Sequence, residues 1–227
     1  MNDRGFDQSG VKQSELDLSA SKAHTERSTP KNVRYINYKL LSGVEFSGEP
    51  VVPKILREGQ DELGGFFKVE ELQGEDLADL LRDQSLGAKV KMEVVLHVVK
   101  QLQSIDQAGF VLFDRNADNI RIISMNKRIS TRQMDIEDMY DKDTDAVYSL
   151  SQSKYEDMIQ RLKKMGIDIW LPSVNRFAQN VCSLLNEPAP ARAIISSYTD
   201  IRIMPTKKDV LGDFSDALSK AIEALHE

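Results

Sequence analysis

The sequence predicts an α+β protein in which a small mixed segment precedes a mostly helical one. Two short extended runs, Val51–Leu56 and 66–69, lie in the first third of the chain, and longer stretches with helical apolar spacing follow them. Residues 1–31 are rich in charged and small polar side chains, so we expect them to be flexible. We therefore divide the chain into this segment, a reduced N-terminal lobe with its connection over 32–72, and a helical lobe over 73–227.

The expected N-terminal lobe contains one helix and one β-hairpin. Asn32 is a suitable N-cap residue for a short helix. The apolar stripe of that helix consists of Val33, Ile36 and Leu40. Gly64 and Gly65 are expected to form the turn that joins the two extended runs into a hairpin.

The helical lobe should be built around one long helix over Lys89–Gln107, which has regular apolar spacing and ends before Gly109. A β-hairpin is predicted over 120–134. Further helices are predicted over 77–81, 145–165, 173–185 and 208–225.

Bulk composition excludes several classes of protein. The net charge of −6 argues against binding to nucleic acid or to an anionic membrane. No apolar run approaches the roughly 20 residues that span a bilayer, and the N-terminus lacks the apolar core of a signal peptide. Cys182 is the one cysteine, so an internal disulfide is excluded. These features predict a cytoplasmic protein with no nucleic-acid or membrane partner.

Three segments in the middle of the chain resemble the protein-kinase-like superfamily. Residues 67–77 read FKVEELQGEDL, residues 109–120 read GFVLFDRNADNI, and residues 134–138 read MDIED. The first is similar to the kinase hinge, and the second to the catalytic loops of protein kinases and phosphoinositide kinases. The third is similar to the metal-binding segment of aminoglycoside and choline phosphotransferases. The resemblance extends from about residue 32 to 160, with the long helix in its expected place.

The resemblance implies a bilobal kinase-like fold, with ATP and Mg²⁺ as cofactors. Asp114 would orient or deprotonate the hydroxyl of the acceptor. Asn119 and Asp135, which follow Asp114 by 5 and 21 positions, would bind the Mg²⁺ on the nucleotide phosphates.

Other binding residues follow from the same resemblance. The backbone of Glu70 and Leu72 matches the hinge positions that bind the adenine edge, and Val69 would cover the ring. Lys22 lies at the family's usual distance before the hinge for the lysine that binds phosphate. The segment 143–150 is similar to the helix start whose aspartate supports the catalytic loop.

The chain departs from the family's pattern in its catalytic loop and in its N-terminal lobe. Leu112 and Phe113 replace the usual residues before the catalytic aspartate. Asn116 stands where many relatives carry a cation that faces the γ-phosphate. Residues 5–11 are only a weak counterpart of a glycine-rich loop, and the helix at 32–42 offers no glutamate to pair with Lys22.

The segment after Asp135 is short. Asp145 follows it by ten positions, which leaves no room for an activation segment or a peptide platform. A small molecule or another non-peptide hydroxyl compound is therefore the expected acceptor.

Simpler interpretations stay open at this point. Asp114 and Asn119 could cap a turn, Asp135 could end a surface strand, and Lys22 could be a solvated charge. The chain could be a phosphotransferase, a catalytically inactive pseudokinase-type module that binds a nucleotide or a protein partner, or a product that lacks its N-terminal lobe. Retention of all three polar residues of the metal site favours the phosphotransferase.

Overall fold

The computed structural model describes residues 24–28, 33–61, 64–125, 128–185, 192, 195 and 209–225. Its strands are β1 His24–Ser28, β2 Glu45–Phe46, β3 Glu49–Pro50, β4 Ile55–Asp61, β5 Gly64–Val69, β6 Glu75–Asp76, β7 Phe110–Leu112, β8 Ile120–Ser124, β9 Ser130–Gln133, β10 Met139–Asp141 and β11 Ala146–Tyr148. Its helices are α1 Val33–Leu41, α2 Leu77–Arg82, α3 Ala88–Gln107, α4 Gln152–Met165, α5 Leu171–Leu184 and α6 Val210–Ala224, with a 3₁₀ turn at Ala117–Asn119.

Two compact units make up the chain. The smaller one is drawn from Met1–Asn32 and Lys54–Glu71, and the larger one from Val33–Pro53 and Leu72–Glu227. The segment 32–72 is thus shared between both units, and our lobe boundaries stay a prediction.

The smaller unit contains a three-stranded antiparallel sheet in the order β1-β5-β4. Strand β1 lies within the segment that we expected to be flexible, so that expectation was wrong for His24–Ser28. A β4–β5 hairpin is present, but its first strand is Ile55–Asp61 rather than the predicted Val51–Leu56. Gly64 and Gly65 are paired strand residues, opposite Asp61 and Gln60 in β4. The turn therefore does not fall on the Gly-Gly pair, because both glycines pair with β4 and Gly65 also pairs with Ser28 of β1.

Among the described helices of the larger unit, α3 is the longest. It begins at Ala88, one residue before the predicted start, and ends at Gln107 as predicted. Its apolar face packs against α6. That face is fully shielded from solvent at Met92, Val95, Val98, Val99, Leu102 and Ile105. This burial of a regular apolar stripe explains why the sequence identified α3 most clearly.

Helix α1 forms where it was predicted but buries a different face. Its buried residues are Asn37, Tyr38 and Leu41 rather than the apolar stripe that we expected. Asn37 is fully buried, and its Nδ2 donates a hydrogen bond of 2.9 Å to the carbonyl oxygen of Ile136. This bond joins α1 to the segment around Asp135, on the same face that buries Tyr38 and Leu41.

Two small antiparallel sheets carry the central segments of the larger unit. The predicted hairpin is confirmed as β8–β9, within the sheet β6-β8-β9. The other sheet has the order β11-β10-β7, with Tyr140 opposite both Val111 and Val147. The predicted helix over 145–165 was therefore wrong at its start, because residues 146–148 pair with β10 and α4 begins only at Gln152.

Within the described part of the chain, no helix combines the length and the apolar character that a membrane span needs.

Candidate functional site

The loop after β7 and the segment after β9 lie side by side in the larger unit. The Met134 amide donates to the Asn119 carbonyl oxygen at 2.8 Å. The Asn119 side-chain amide in turn donates to the Asp114 carbonyl oxygen at 3.5 Å. The structure therefore brings together Asp114, Asn119 and Asp135, which the sequence placed in one site.

Arg115 holds these two segments to each other from inside. Its side chain is fully buried and donates to the carbonyl oxygens of Met134 and Asp135, at 3.0 and 3.2 Å. Burial lowers the pKa of the Arg115 guanidinium to about 10, so the group remains a cation at neutral pH. Asp135 has a positive φ of 46°, a conformation that costs a non-glycine residue free energy, and Arg115 anchors its carbonyl oxygen there.

Helix α5 supports the loop from its other side. Ser173 donates to the Leu112 carbonyl oxygen at 2.6 Å, Arg176 forms an ion pair with Asp114, and Asn180 accepts from the Ala117 amide at 2.8 Å. These three residues are spaced by three and four positions, which places them on one face of the helix. Their contacts follow the loop in chain order, so α5 defines both its path and the position of Asp114.

The resemblance had implied that an aspartate in the segment 143–150 supports the loop. The structure instead places that support on α5. Asp145 accepts hydrogen bonds of 2.7 Å from the Tyr140 hydroxyl and from the Lys163 ammonium. The bond from Lys163 is the larger cause that holds the pKa of Asp145 below its ordinary value. Asp145 thus ties the β10–β11 turn to α4.

Asp135 also has an arginine partner, which the sequence did not reveal. Arg34, on α1, lies 3.3 Å from the Asp135 carboxylate and donates from its Nε to Glu137 at 2.8 Å. About half of the Asp135 side chain is exposed. One guanidinium therefore serves two carboxylates on the segment that the sequence assigned to metal binding.

Asp138 and an aromatic pair connect the base of the loop to α4. Asp138 accepts hydrogen bonds from Ser149 and, at 2.8 Å, from the Tyr155 hydroxyl. Tyr155 stacks on Phe113 at a ring distance of 4.7 Å, and burial together with the Asp138 bond raises the pKa of Tyr155. Phe113, one of the departures noted in the sequence, is thus a packing residue beneath Asp114.

The donor types at Asn119 and Asp135 fit a hard divalent cation, because both side chains offer oxygen atoms. Among the described residues there is no group of three or more His, Cys, Asp or Glu side chains that could hold a metal. The predicted pair consists of one carboxylate and one amide, so metal binding by Asn119 and Asp135 stays a prediction. A cation at Asp135 would share that carboxylate with Arg34.

The predicted hinge positions divide between the two units. Val69 is buried, and the Glu70 amide donates to the Lys54 carbonyl oxygen at 2.9 Å, both within the smaller unit. Because that amide is already bonded, only the Glu70 carbonyl could take part in binding a ligand. Leu72 begins the second part of the larger unit, and Lys22 lies outside the described residues.

Sequence comparisons found no match among protein-family models or among curated proteins. Solved structures do match. The PknI kinase domain of Mycobacterium tuberculosis has a TM-score of 0.51 at 14% identity, covering 87% of this chain and 84% of that one. A divergent kinase without the glycine-rich loop, described as regulating membrane ultrastructure of the Toxoplasma parasitophorous vacuole, has a TM-score of 0.54 at 13% identity, with 98% and 81% coverage. At such identities the similarity establishes the fold alone: this chain has a protein-kinase-like fold.

Proposed function

We propose that this chain is an ATP- and Mg²⁺-dependent phosphotransferase that acts on a small-molecule or other non-peptide hydroxyl acceptor. The observation that carries the proposal is the direct bonding of the Asp114 loop to the Asp135 segment through Asn119, Met134 and Arg115. A loop whose only role was to end a strand would not need a fully buried arginine to fix a second acidic segment beside it. Phosphoryl transfer does need such fixed positions, because catalysis rests mainly on orientation and charge.

In this proposal Asp114 binds the acceptor hydroxyl and accepts its proton. The acceptor oxygen forms a bond to the γ-phosphorus, the bond from that phosphorus to the β,γ-bridging oxygen breaks, and the electron pair leaves with ADP. Nearly half of the Asp114 side chain is exposed, so an acceptor can reach it from solvent. Ser173 and Asn180 keep the loop in place while the proton moves.

Asn119 and Asp135 would hold a divalent cation, which supplies positive charge to the nucleotide phosphates. The remaining assignments rest on the resemblance: the backbone of Glu70 and Leu72 for the adenine edge, with Val69 as apolar cover. Lys22 is proposed for the phosphates on the same basis.

The preference for a small acceptor is supported by the segment that follows Asp135. Between Asp135 and α4, the chain turns back on itself in the β10–β11 hairpin, which pairs with β7. This stretch is fully described, and its extended residues are the two three-residue strands of that hairpin, which leaves no longer segment to serve as a peptide platform.

The second candidate function is a catalytically inactive module that binds a nucleotide or a protein partner. It is favoured by the position of Arg34, whose single guanidinium pairs with both Asp135 and Glu137. A cation of the chain itself at this position would weaken the requirement for Mg²⁺.

Consumption of ATP across a panel of hydroxyl acceptors distinguishes the two functions. We expect slow turnover, and we expect Asp114→Asn to reduce it by about a hundredfold, the usual size of a general-base contribution. Asp157→Asn is the matched control, because Asp157 is an exposed aspartate on α4. Nucleotide binding without turnover would support the inactive module, and turnover that survives Asp114→Asn would remove Asp114 from the mechanism.

A further inference from the structure

We propose that Arg176 is a catalytic residue: its guanidinium binds the transferring phosphoryl group beside Asp114 and replaces a cation that the catalytic loop itself lacks. The inference rests on the proposed function, because it requires Asp114 to be the residue that receives the acceptor. It adds a residue on helix α5, far from the loop in sequence, to the reacting centre.

The first argument concerns the charges of the loop. Between Phe113 and Asn119 the loop contains one cation, Arg115, which is fully buried and bonded to two backbone carbonyl oxygens. The Asn116 side chain is also committed, since its Oδ1 accepts from the Asn119 amide at 3.1 Å. The loop therefore offers no cation to a phosphoryl group that arrives at Asp114.

The second argument concerns how firmly Arg176 is positioned. Ser173 lies one turn before it and Asn180 one turn after it, and both bond to the loop on either side of Asp114. Ser173 is buried, so this face of α5 is fixed against the loop. The helix thus holds the Arg176 backbone at a set distance from Asp114, which is the pre-organisation that charge stabilisation requires.

The third argument is that the ion pair is open to solvent. The side chains of Arg176 and Asp114 are 57% and 46% exposed. Exposed pairs of this kind contribute little to stability, so a structural role alone explains it poorly. A guanidinium carries five N–H donors, and within the described chain Arg176 uses one of them, on Asp114.

The position of Arg176 beside Asp114 determines which part of the substrates it contacts. An acceptor hydroxyl bound to Asp114 lies about 2.7 Å from its carboxylate. The phosphorus that this oxygen attacks must lie next to it, within reach of a guanidinium that already contacts the same carboxylate. As the new O–P bond forms and the bond to ADP breaks, Arg176 donates to a phosphoryl oxygen, and the acceptor proton passes to Asp114.

The test is the ratio of ATP affinity to ADP affinity, measured by titration calorimetry at saturating Mg²⁺. A residue that contacts the γ-phosphoryl group affects ATP alone. We expect Arg176→Gln to weaken ATP binding about tenfold and to leave ADP binding within about twofold, since a charge-assisted hydrogen bond is lost only with ATP. Arg176→Lys should give an intermediate ratio, because it keeps the charge but loses the planar fork.

Arg161→Gln, at an exposed arginine on α4, is the matched control and should leave the ratio unchanged. The thermal midpoint of each variant verifies that it is folded, and Arg176→Lys carries the test if Arg176→Gln does not fold. An ATP/ADP ratio that stays at the wild-type value in both Arg176 variants would overturn the inference and leave the proposed function intact. Failure of the wild-type chain to bind either nucleotide would overturn both.

Discussion

Asp114 and Asp135 each carry an arginine partner, but the two pairs differ in composition and in support. At Asp114, one carboxylate meets one guanidinium, that of Arg176. At Asp135, the single guanidinium of Arg34 is shared with Glu137. The first pair has no formal net charge, whereas the second group of three has a net charge of −1.

In the proposed function, this difference would give the two sides of the site distinct tasks. The Asp135 side retains excess negative charge and can attract a divalent cation. The Asp114–Arg176 pair is neutral, and its exposed guanidinium could meet a phosphoryl oxygen. In this proposal the same residue types would serve opposite electrostatic purposes, depending on how many carboxylates share each arginine.

The largest expected effect follows from removing Arg115, the residue that joins the two sides. Arg115→Ala should reduce the free energy of unfolding by about 2–4 kcal/mol, because it leaves a cavity and two carbonyl oxygens without their donor. Urea denaturation measures the loss, and Arg161→Ala should change stability by no more than about 0.5 kcal/mol. Equal stability of both variants would show that the hydrogen bonds of Arg115 to the Asp135 segment do not stabilise the fold.

A smaller effect is expected at the Asp135 side alone. Arg34→Gln makes the net charge of this group more negative, from −1 to −2, so the Mg²⁺ concentration needed for half-maximal ATP binding should fall several-fold at low ionic strength. The free energy of unfolding should change by less than about 1 kcal/mol, because this pair is exposed. Calorimetric titration with ATP at graded Mg²⁺ measures the shift. A higher Mg²⁺ requirement would mean that Arg34 itself binds the nucleotide. It would contradict the view that the Asp135 side attracts the cation through its excess negative charge.

The smallest effect is a pH dependence that involves neither arginine pair. His97 lies on α3 against the Phe46 ring, with ring centres 4.9 Å apart, and burial lowers its pKa below 6.5. Because the unfolded chain then takes up the proton first, the stability contribution is fully present above pH 6.5 and is lost as the pH falls below that value. His97→Gln should reduce the fall in the thermal midpoint between pH 7 and pH 5.5. An unchanged slope would show that other groups control stability in this range.

The sequence predicted the elements that depend on local pattern. Helix α3 and the β8–β9 hairpin follow from regular apolar spacing, and the grouping of Asp114 with Asp135 follows from motif order. The strand β11 was missed because its apolar residues also fit a helical stripe, and only pairing with β10 decides between the two.

The arginines that pair with Asp114 and with the Asp135 segment could not be predicted from the sequence. Arg176 is 62 positions from Asp114, and Arg34 is 103 positions from Glu137. Ion pairs between exposed side chains leave no periodic pattern in a sequence. One signal was present for α5, namely the three polar residues Ser173, Arg176 and Asn180 on one face of an otherwise amphipathic helix.

The claim that Asp135 binds the Mg²⁺ on the nucleotide is tested most directly by ATP binding. The measurement compares the wild-type chain with Asp135→Asn, each with and without Mg²⁺. We predict that Mg²⁺ strengthens binding to the wild-type chain, and that this gain largely disappears in Asp135→Asn because the anionic ligand is lost. Asp157→Asn serves as the control and should keep the full Mg²⁺ dependence. Equal ATP affinity of wild type and Asp135→Asn in the presence of Mg²⁺ would contradict the assignment of Asp135 to the metal.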